Sequence, residues 1–573
     1  MERLEAKKIK GHTYYYYSRW GWKNGKCRRL SQKYIGKLDK IIQAVQRHDL
    51  APQYAEVFSW GLPVALFKEA RLSQVIDQVN QLCPKRDQGL STGDYIGLAA
   101  INRACHPVSK QAMWQWLGAT SLVRQWPQAT PALLSSQRFW DHMERIAPST
   151  AQAIWQQLIA TVVQREKIDL SQVCYDGTNF YTFIDTFNVH CQVARRGKNK
   201  QGRCNLRQVS YALFCSTDGH LPLFYDVYEG NCNDAKEFPR VLEKFQQWLK
   251  QLTGKTPATQ PTLVFDKGNN SAANFEFIDT LKINYVGSVK LDEHPDLTQV
   301  SNQDGRWINC PQDGLSQTKS WRITQQIYGK ARLIVVTYNE NLFQSQWATL
   351  ANDVAHALGQ LASLRQNLLN RSAGILKGGE KPTVDTVRQK CRQILQRQHL
   401  SRIIITTITQ TSNAMPQLAY KLDESAQQKL CDTHLGKTIL ITSHDQWTDQ
   451  QIIGAYRSQF IIEEVFHEMK DRIIGCWWPM NHWTDSKIHV HGLYCTIAML
   501  LRALMWRRVR NAGLTLSMER MLAELDSIRE VINVYESQHA NSSWPQQTVL
   551  TKLSEIQEKL VSALALKPEK TTG

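Results

Sequence analysis

Val173-Cys174-Tyr175-Asp176-Gly177-Thr178-Asn179 runs from β-formers into an acid and a glycine, and Leu263-Val264-Phe265-Asp266-Lys267-Gly268-Asn269 repeats the pattern 90 residues later. Both read as buried strands that open to solvent at the acid, where the glycine lets the backbone turn. Between them, residues 209–214 and 221–228 are further strand-like runs, and 235–252 has the apolar spacing of a helix. Strands alternating with a helix imply an α/β sheet. Ligands gather at strand ends in such sheets, so two acids on neighbouring strands can share a metal ion. An Asp at a strand end is also a common turn former, so neither acid decides the matter alone.

A third acid comes with a geometric signature. In Tyr456-Arg457-Ser458-Gln459-Phe460-Ile461-Ile462-Glu463-Glu464-Val465-Phe466-His467-Glu468-Met469-Lys470, the Tyr, Glu463 and Lys are each seven residues apart. Seven residues at about 100° each nearly complete two turns, so one helix would carry all three in a stripe. Ile462, Val465, Phe466, Met469 and Ile473 would form the adjacent apolar face, packing the helix on the sheet. Glu and Lys at this spacing also occur on solvated helices, and only the combination favours a site.

The rest of the chain sets the context. Its 573 residues carry 69 Lys and Arg against 51 Asp and Glu, a formal charge of +18, which favours a polyanion such as nucleic acid. Residues 1–40 alone hold twelve of the cations and three acids, a net +9. There, Tyr14 to Tyr17, Trp20 and Trp22 precede Asn24-Gly25, a pair suited to a two-residue hairpin turn. A basic, aromatic β-hairpin is expected; it would contact DNA, although a charge run is often only a solvated face. The longest apolar run, 492–506, is broken by Arg502, and no membrane partner is expected. Thirteen scattered cysteines without a Cys-x-x-Cys pair read as reduced thiols. The N-terminus lacks a signal-peptide core, which fits a cytoplasmic protein.

At these motifs the chain resembles the DDE transposases of bacterial insertion sequences, specifically the IS-four-like superfamily with its Tyr-Arg-Glu-Lys signature. Tyr456, Glu463 and Lys470 match that signature, whereas Gln459 occupies the Arg place and Arg457 lies nearby on another face. Tyr175-Asp176-Gly177-Thr178 resembles the first catalytic motif and Phe265-Asp266-Lys267-Gly268-Asn269 the second. The resemblance extends over about 170–510, including Asp218-Gly219-His220-Leu221-Pro222-Leu223 and the segment from His482 to His491. It implies an RNase H-like core with a β-rich insertion between the second Asp and the Glu.

The implied organisation is a basic aromatic β-rich segment at 1–60, a helical DNA-binding domain at 61–167, the first part of the core at 168–290, the insertion at 291–447, the second part of the core with the Glu at 448–510, and C-terminal helices at 511–573. Asp176, Asp266 and Glu463 would hold two Mg²⁺ ions, replaceable by Mn²⁺, because hard oxygen ligands suit these cations and a pair of them serves in-line phosphoryl displacement. Asp176 is assigned as the bridging ligand. Lys470 would hold a phosphate near the cut, Tyr456 would contact the terminal nucleotide, and Arg457 lies within reach of DNA. Arg195, Arg196, Lys198, Lys200, Arg203 and Arg207 would form a phosphate-binding lip. The partners are double-stranded DNA, as element ends and target, and a second copy of the chain on DNA, in a bacterial cytoplasm at the nucleoid. His482, His489 and His491 do not read as a zinc site, since 489 and 491 point about 200° apart on a helix. A plain metal-dependent nuclease and a catalytically silent DNA-binding regulator are the rival readings. A glycosidase with paired carboxylates would leave the charge unexplained.

Overall fold

The computed structural model describes residues 2–23, 26–39, 41–42, 52–84, 89–197, 202–253, 260–310, 318–411, 414–471, 473–535 and 546–568. The chain forms two compact units, one of residues 1–145 with 501–573 and one of residues 146–500.

The larger unit is built on a ten-stranded mixed sheet. After helix α1 (Pro148–Glu166) come β1 (Gln172–Thr182), β2 (Arg195–Arg196), β3 (Arg207–Ser216), β4 (Pro222–Glu229), α2 (Asp234–Thr253), β5 (Thr262–Phe265), α3 (Ala272–Thr280) and β6 (Tyr285–Val289). Next follow β7 (Ile308–Asn309), β8 (Thr318–Ile327), β9 (Lys330–Asn339), α4 (Glu340–Ser372), α5 (Val384–Ile394), the strands β10 (Ile404–Thr409) and β11 (Gln417–Leu422), α6 (Glu424–Thr433) and β12 (Lys437–Thr442). Helices α7 (Asp449–Arg457), α8 (Phe460–Lys470) and α9 (Asp485–Asn511) complete the series, α9 continuing into the other unit. The sheet order is β7-β8-β9-β12-β6-β5-β1-β3-β2, with β4 also on β3. The neighbours β6–β5 and β5–β1 run parallel, and the remaining pairs are antiparallel.

Composition explains this layout. The central strand β5, Thr-Leu-Val-Phe, is buried at every residue, as a parallel strand covered on both faces must be. One face carries Tyr175, Phe214 and Phe265, which meet the apolar side of α2: Phe214 stacks on Phe245 at 4.1 Å, and Phe238 lies 5.0 Å from Tyr175. The spacing of Phe238, Val241, Leu242, Phe245, Trp248 and Leu249 puts them on one stripe of α2. The opposite face receives α1, α8 and α9, with the Trp155 indole donating to Leu223 O and the Tyr211 hydroxyl 2.6 Å from that of Thr496.

Several expectations need correction. The strands foreseen for a separate β-rich insertion mostly extend the main sheet: β12 lies between β9 and β6. Among the described residues of this stretch, only β10 and β11 form a sheet of their own, packed with α4, α5 and α6 around a second apolar cluster that includes Leu361, Leu400 and Ile403. The helical segment foreseen at 61–167 divides at Arg145, since α1 packs on the main sheet. Helix α9 is long and apolar enough to cross a membrane by composition, but 94% of its apolar window is buried inside the protein.

In the smaller unit the foreseen hairpin is a three-stranded antiparallel sheet of Glu2–Ile9, His12–Lys23 and Lys26–Lys37. Lys23 pairs with Lys26 across the expected turn; Asn24 and Gly25 lie outside the described residues. Helices follow at Gly61–Leu72, Val75–Leu82 and Thr92–Cys105, the last opened by a Ser91/Asp94 capping box. The C-terminal stretch 511–573, expected to be helical, is helical only in part. Met518–Asp526 is helical, while Arg529–Val534 is a strand between Tyr54–Ser59 and Gln546–Leu550. Its alternating burial is the period of a strand, which the apolar spacing of Ile528 and Ile532 had masked.

Candidate active site

The parallel register of β1 and β5 brings the two aspartates together. Tyr175 pairs with Phe265, so Asp176 and Asp266 follow side by side on strands spaced about 4.8 Å apart. Asp266 leaves β5 as expected, into a short turn at Lys267–Asn269. Asp176 does not end its strand: β1 continues to Thr182, still paired with β3. The opening beside it arises because its neighbour β5 stops, not because β1 turns. Gly177 N donates to Asp176 Oδ1 at 2.8 Å.

Helix α8 lies over the same face of β1. Gln172 Nε2 donates to Ser458 Oγ at 2.7 Å, Cys174 Sγ to Ser458 O at 3.3 Å, and Lys470 Nζ bonds Thr178 Oγ1. Residues 172, 174, 176 and 178 share one face of a strand, so Asp176 sits between contacts to the two ends of the Ser458–Lys470 segment. Glu463, exposed in the first turn of α8, lies between those ends. Lys470 also stands 5.3 Å over the Phe180 ring.

Tyr456, Glu463 and Lys470 do not share one uninterrupted helix. Tyr456 lies in the last turn of α7, and the chain tightens through Ser458 and Gln459, where Gln459 N bonds Tyr456 O and Ile461 N bonds Ser458 O. These three-residue closures overwind the joint and turn the following side chains relative to an ideal stripe. Ile473, expected on the apolar face, lies beyond the helix and is 83% exposed.

The Tyr456 hydroxyl points toward the second acid. It donates to Ser288 Oγ at 2.9 Å, and Ser288 Oγ donates to Asp266 Oδ1 at 3.3 Å. Burial, followed by the negative charges of Asp266 and Glu463, pushes the Tyr456 phenol up to about 12 despite the Ser288 hydrogen bond. Tyr456 therefore feels both acids. Ser288 was not identified from sequence, where it is a lone serine in a hydrophobic strand. Its only signal is register: Gly287 pairs with Phe265, which sets Ser288 beside Asp266. Thr178 belongs to the first Asp motif, but its contact with Lys470 is visible only in three dimensions.

Gln459, at the place of the signature Arg, is buried, and neither of its carboxamide atoms has a hydrogen-bond partner among the described residues. Arg457 donates instead to Thr318 Oγ1 at 2.8 Å, and burial holds its guanidinium below the ordinary range. In the basic lip, Arg195 and Arg196 are exposed on β2, and Arg203 lies 4.6 Å over the Tyr181 ring. Arg207 turns inward to the carbonyls of Thr186, Asn188 and Cys191; Lys198 and Lys200 lie outside the described residues. His482 and His491 share the Tyr494 hydroxyl, and His491 also meets Trp477 O, as hydrogen-bonded core histidines.

Among the described residues no group of three or more His, Cys, Asp or Glu side chains is gathered closely enough to hold a metal ion. The donor chemistry of Asp176, Asp266 and Glu463 nevertheless suits a hard divalent cation, being carboxylate oxygen alone. A cleft of 610 Å³ opens beside Tyr456 and Ser288, with Lys267 and Lys290 among its lining residues.

The site is thus a mixed α/β unit with two aspartates in register and a glutamate-bearing helix on the same face of the strand. Residues 169–501 match the model of the transposase DDE domain, and the chain belongs to that family. No curated protein matches it. Among solved structures it is similar to the piggyBac transposase synaptic complex with hairpin DNA, seen by cryo-electron microscopy, at 11% identity and a TM-score of 0.36, covering 81% of this chain and 79% of that one. It is also similar to the Mos1 transposase paired-end complex with left transposon end, at 11% identity and a TM-score of 0.15, covering 37% of this chain and 63% of that one.

Proposed function

We propose that the chain is a transposase of the IS-four-like superfamily that binds the ends of an insertion sequence, cleaves them, and joins the 3′-hydroxyls to target DNA. The observation that carries this is the pairing of Tyr175 with Phe265, which puts Asp176 and Asp266 side by side beneath the helix that bears Glu463. The order β4-β3-β1-β5-β6, with its last three strands parallel, supports an RNase H-like core. The long excursion between Asp266 and Glu463 supports an insertion whose strands are woven into that core.

Asp176, Asp266 and Glu463 would hold the ions, Asp176 serving both. Two Mg²⁺ ions, or Mn²⁺ in their place, would supply activation of water or a 3′-hydroxyl and stabilisation of the leaving oxygen. The chain's own residues orient the parts. Ser288 fixes the Asp266 carboxylate, and Tyr456 fixes Ser288. Lys470, anchored on Thr178, places a cation for a phosphate near Asp176, while Arg195, Arg196 and Arg203 offer phosphate contacts beyond it. A second copy of the chain on the DNA and a nucleoid location in a bacterial cytoplasm belong to the same reading.

Incubating the protein with duplexes that carry the element's terminal repeats and Mg²⁺, then mapping each strand break and each joined product, tests it. Cleavage at the repeat boundary followed by joining of a pre-cleaved 3′ end is the expected result. Cleavage without joining would leave a nuclease. Breaks that persist in Asp176→Asn and Glu463→Gln would remove the acids from the chemistry.

A further inference from the structure

The transposition reading does not use the N-terminal sheet. Along its strand His12–Lys23, Tyr14, Tyr16, Trp20 and Trp22 alternate and so share one face. Tyr34 joins them from the neighbouring strand, its ring 5.3 Å from that of Tyr16 and 6.1 Å from that of Tyr14. Two strand residues advance about 6.7 Å, so the rings form an open row rather than a closed stack. A hydrogen-bonded net holds this face in place: Trp20 Nε1 donates to Glu5 Oε1 at 2.8 Å, Gln32 Nε2 to Glu5 Oε2 and Ser18 Oγ at 3.1 Å, and Lys7 Nζ to Gln32 Oε1 at 3.1 Å.

The same net ties up Glu5, the acid on this face, and leaves a surplus of cations around the rings. Lys7 stands 4.9 Å over Tyr16, Lys37 stands 5.6 Å over Tyr14, and Arg29 lies 3.6 Å from Glu5. Trp22 is 79% exposed and Tyr34 55%, so both rings are open to a partner beside the rest of the aromatic row. With a net +9 in residues 1–40, two copies of the sheet repel each other, which disfavours self-association through this face. A polyanion with free aromatic faces complements it instead.

We propose that this face binds single-stranded DNA, the bases stacking on Trp22 and Tyr34 and the phosphates running past Lys7, Arg29 and Lys37. A duplex hides its base faces and would engage the cations alone, whereas an unpaired strand engages both, without sequence preference because every base has a π-face. The choice of DNA over RNA rests on the transposition reading; the stacking surface does not.

Fluorescence anisotropy of the full chain in EDTA tests the proposal, using a labelled oligothymidine, a blunt duplex of mixed sequence and an oligouridine of equal length. The double variant Trp22→Ala/Tyr34→Ala should bind the oligothymidine at least about tenfold more weakly while its duplex affinity stays within about twofold. Trp22→Phe/Tyr34→Phe should restore most of the loss, which a misfolded sheet would not allow. Unchanged oligothymidine binding, or an equal loss on the duplex, overturns the proposal, and tighter binding of the oligouridine overturns the assignment to DNA. Asp176→Asn, which abolishes cleavage under the transposition reading, should leave oligothymidine binding intact, so the two readings fail separately.

Discussion

Replacing Ser288 by alanine removes one oxygen and breaks two hydrogen bonds in series. Ser288 Oγ donates to Asp266 Oδ1 at 3.3 Å and accepts from the Tyr456 hydroxyl at 2.9 Å. The first bond is long, so its value lies near the lower end for a bond to a charged group, about 1.5 kcal/mol, and losing the second costs about 1 kcal/mol more. If both act on the orientation of Asp266 in the transition state, Ser288→Ala lowers the cleavage rate roughly 50- to 100-fold, since each 1.36 kcal/mol is tenfold. Tyr456→Phe, which leaves the Ser288–Asp266 bond in place, should lose only about fivefold. The double variant should be no slower than Ser288→Ala if the phenol acts on Asp266 through the serine to which it is bonded. Single-turnover cleavage of a terminal-repeat duplex in Mg²⁺ measures all three, with melting temperature as the check on folding. A double variant as slow as the product of the single losses would refute the series arrangement, and wild-type cleavage by Ser288→Ala would refute the role of Ser288.

Other consequences are open to direct measurement. Asp176→Asn and Glu463→Gln should abolish strand breaks while duplex retention persists in gel shifts, and chelation should do the same to the parent protein, reversed by Mg²⁺ or Mn²⁺. Duplex affinity should fall steeply as salt rises, by about one order of magnitude per tenfold salt for each phosphate neutralised, and a flat response in titrations would argue against phosphate contacts. Arg332, buried, donates to both oxygens of Asp279 at 2.7 and 3.1 Å and to the Tyr285 hydroxyl at 2.7 Å; Arg332→Met should destabilise the protein by about 3 kcal/mol in denaturant melts, Lys330 still partnering the acid. Burial would raise the Asp279 carboxyl, but hydrogen bonds from Arg332 and Lys330 outweigh it and hold it below the ordinary value. Its stabilisation is therefore complete above about pH 4 and lost as pH falls through its depressed folded value, so Arg332→Met should narrow the stability difference from the parent in acid melts.

The local patterns were legible where one interaction dominates. Buried strands such as β5 announce themselves by unbroken apolar runs, and α2 by its stripe of Phe, Val, Leu and Trp, because each buries its face in a single way. The proposed acids were legible as residue types in context, Asp176 and Asp266 after apolar runs and Glu463 at a seven-residue spacing from Tyr456 and Lys470. Relations between distant segments were not. Nothing in Tyr285–Val289 marks Ser288 as the neighbour of Asp266 until β6 is laid beside β5. Nor does any local feature of β1 reveal that the opening at Asp176 is made by the end of another strand. The helical reading around Ile532 failed for a related reason: residues four apart match a helix, and they match a strand equally when the intervening ones alternate. The tightened joint at Ser458–Gln459 likewise rests on hydrogen bonds that no heptad count contains.

The position of β12 limits how the chain can be shortened. Because Lys437–Thr442 is hydrogen-bonded on one side to Lys330–Asn339 and on the other to Tyr285–Val289, the stretch from 291 to 447 cannot be lifted out as a cassette. Its removal would strip β6 of a neighbour and expose a raw edge one strand from the Asp266 carboxylate. A minimal version of this protein would have to splice within the lobe of α4, α5, β10, β11 and α6 and keep β9 and β12 as the seam.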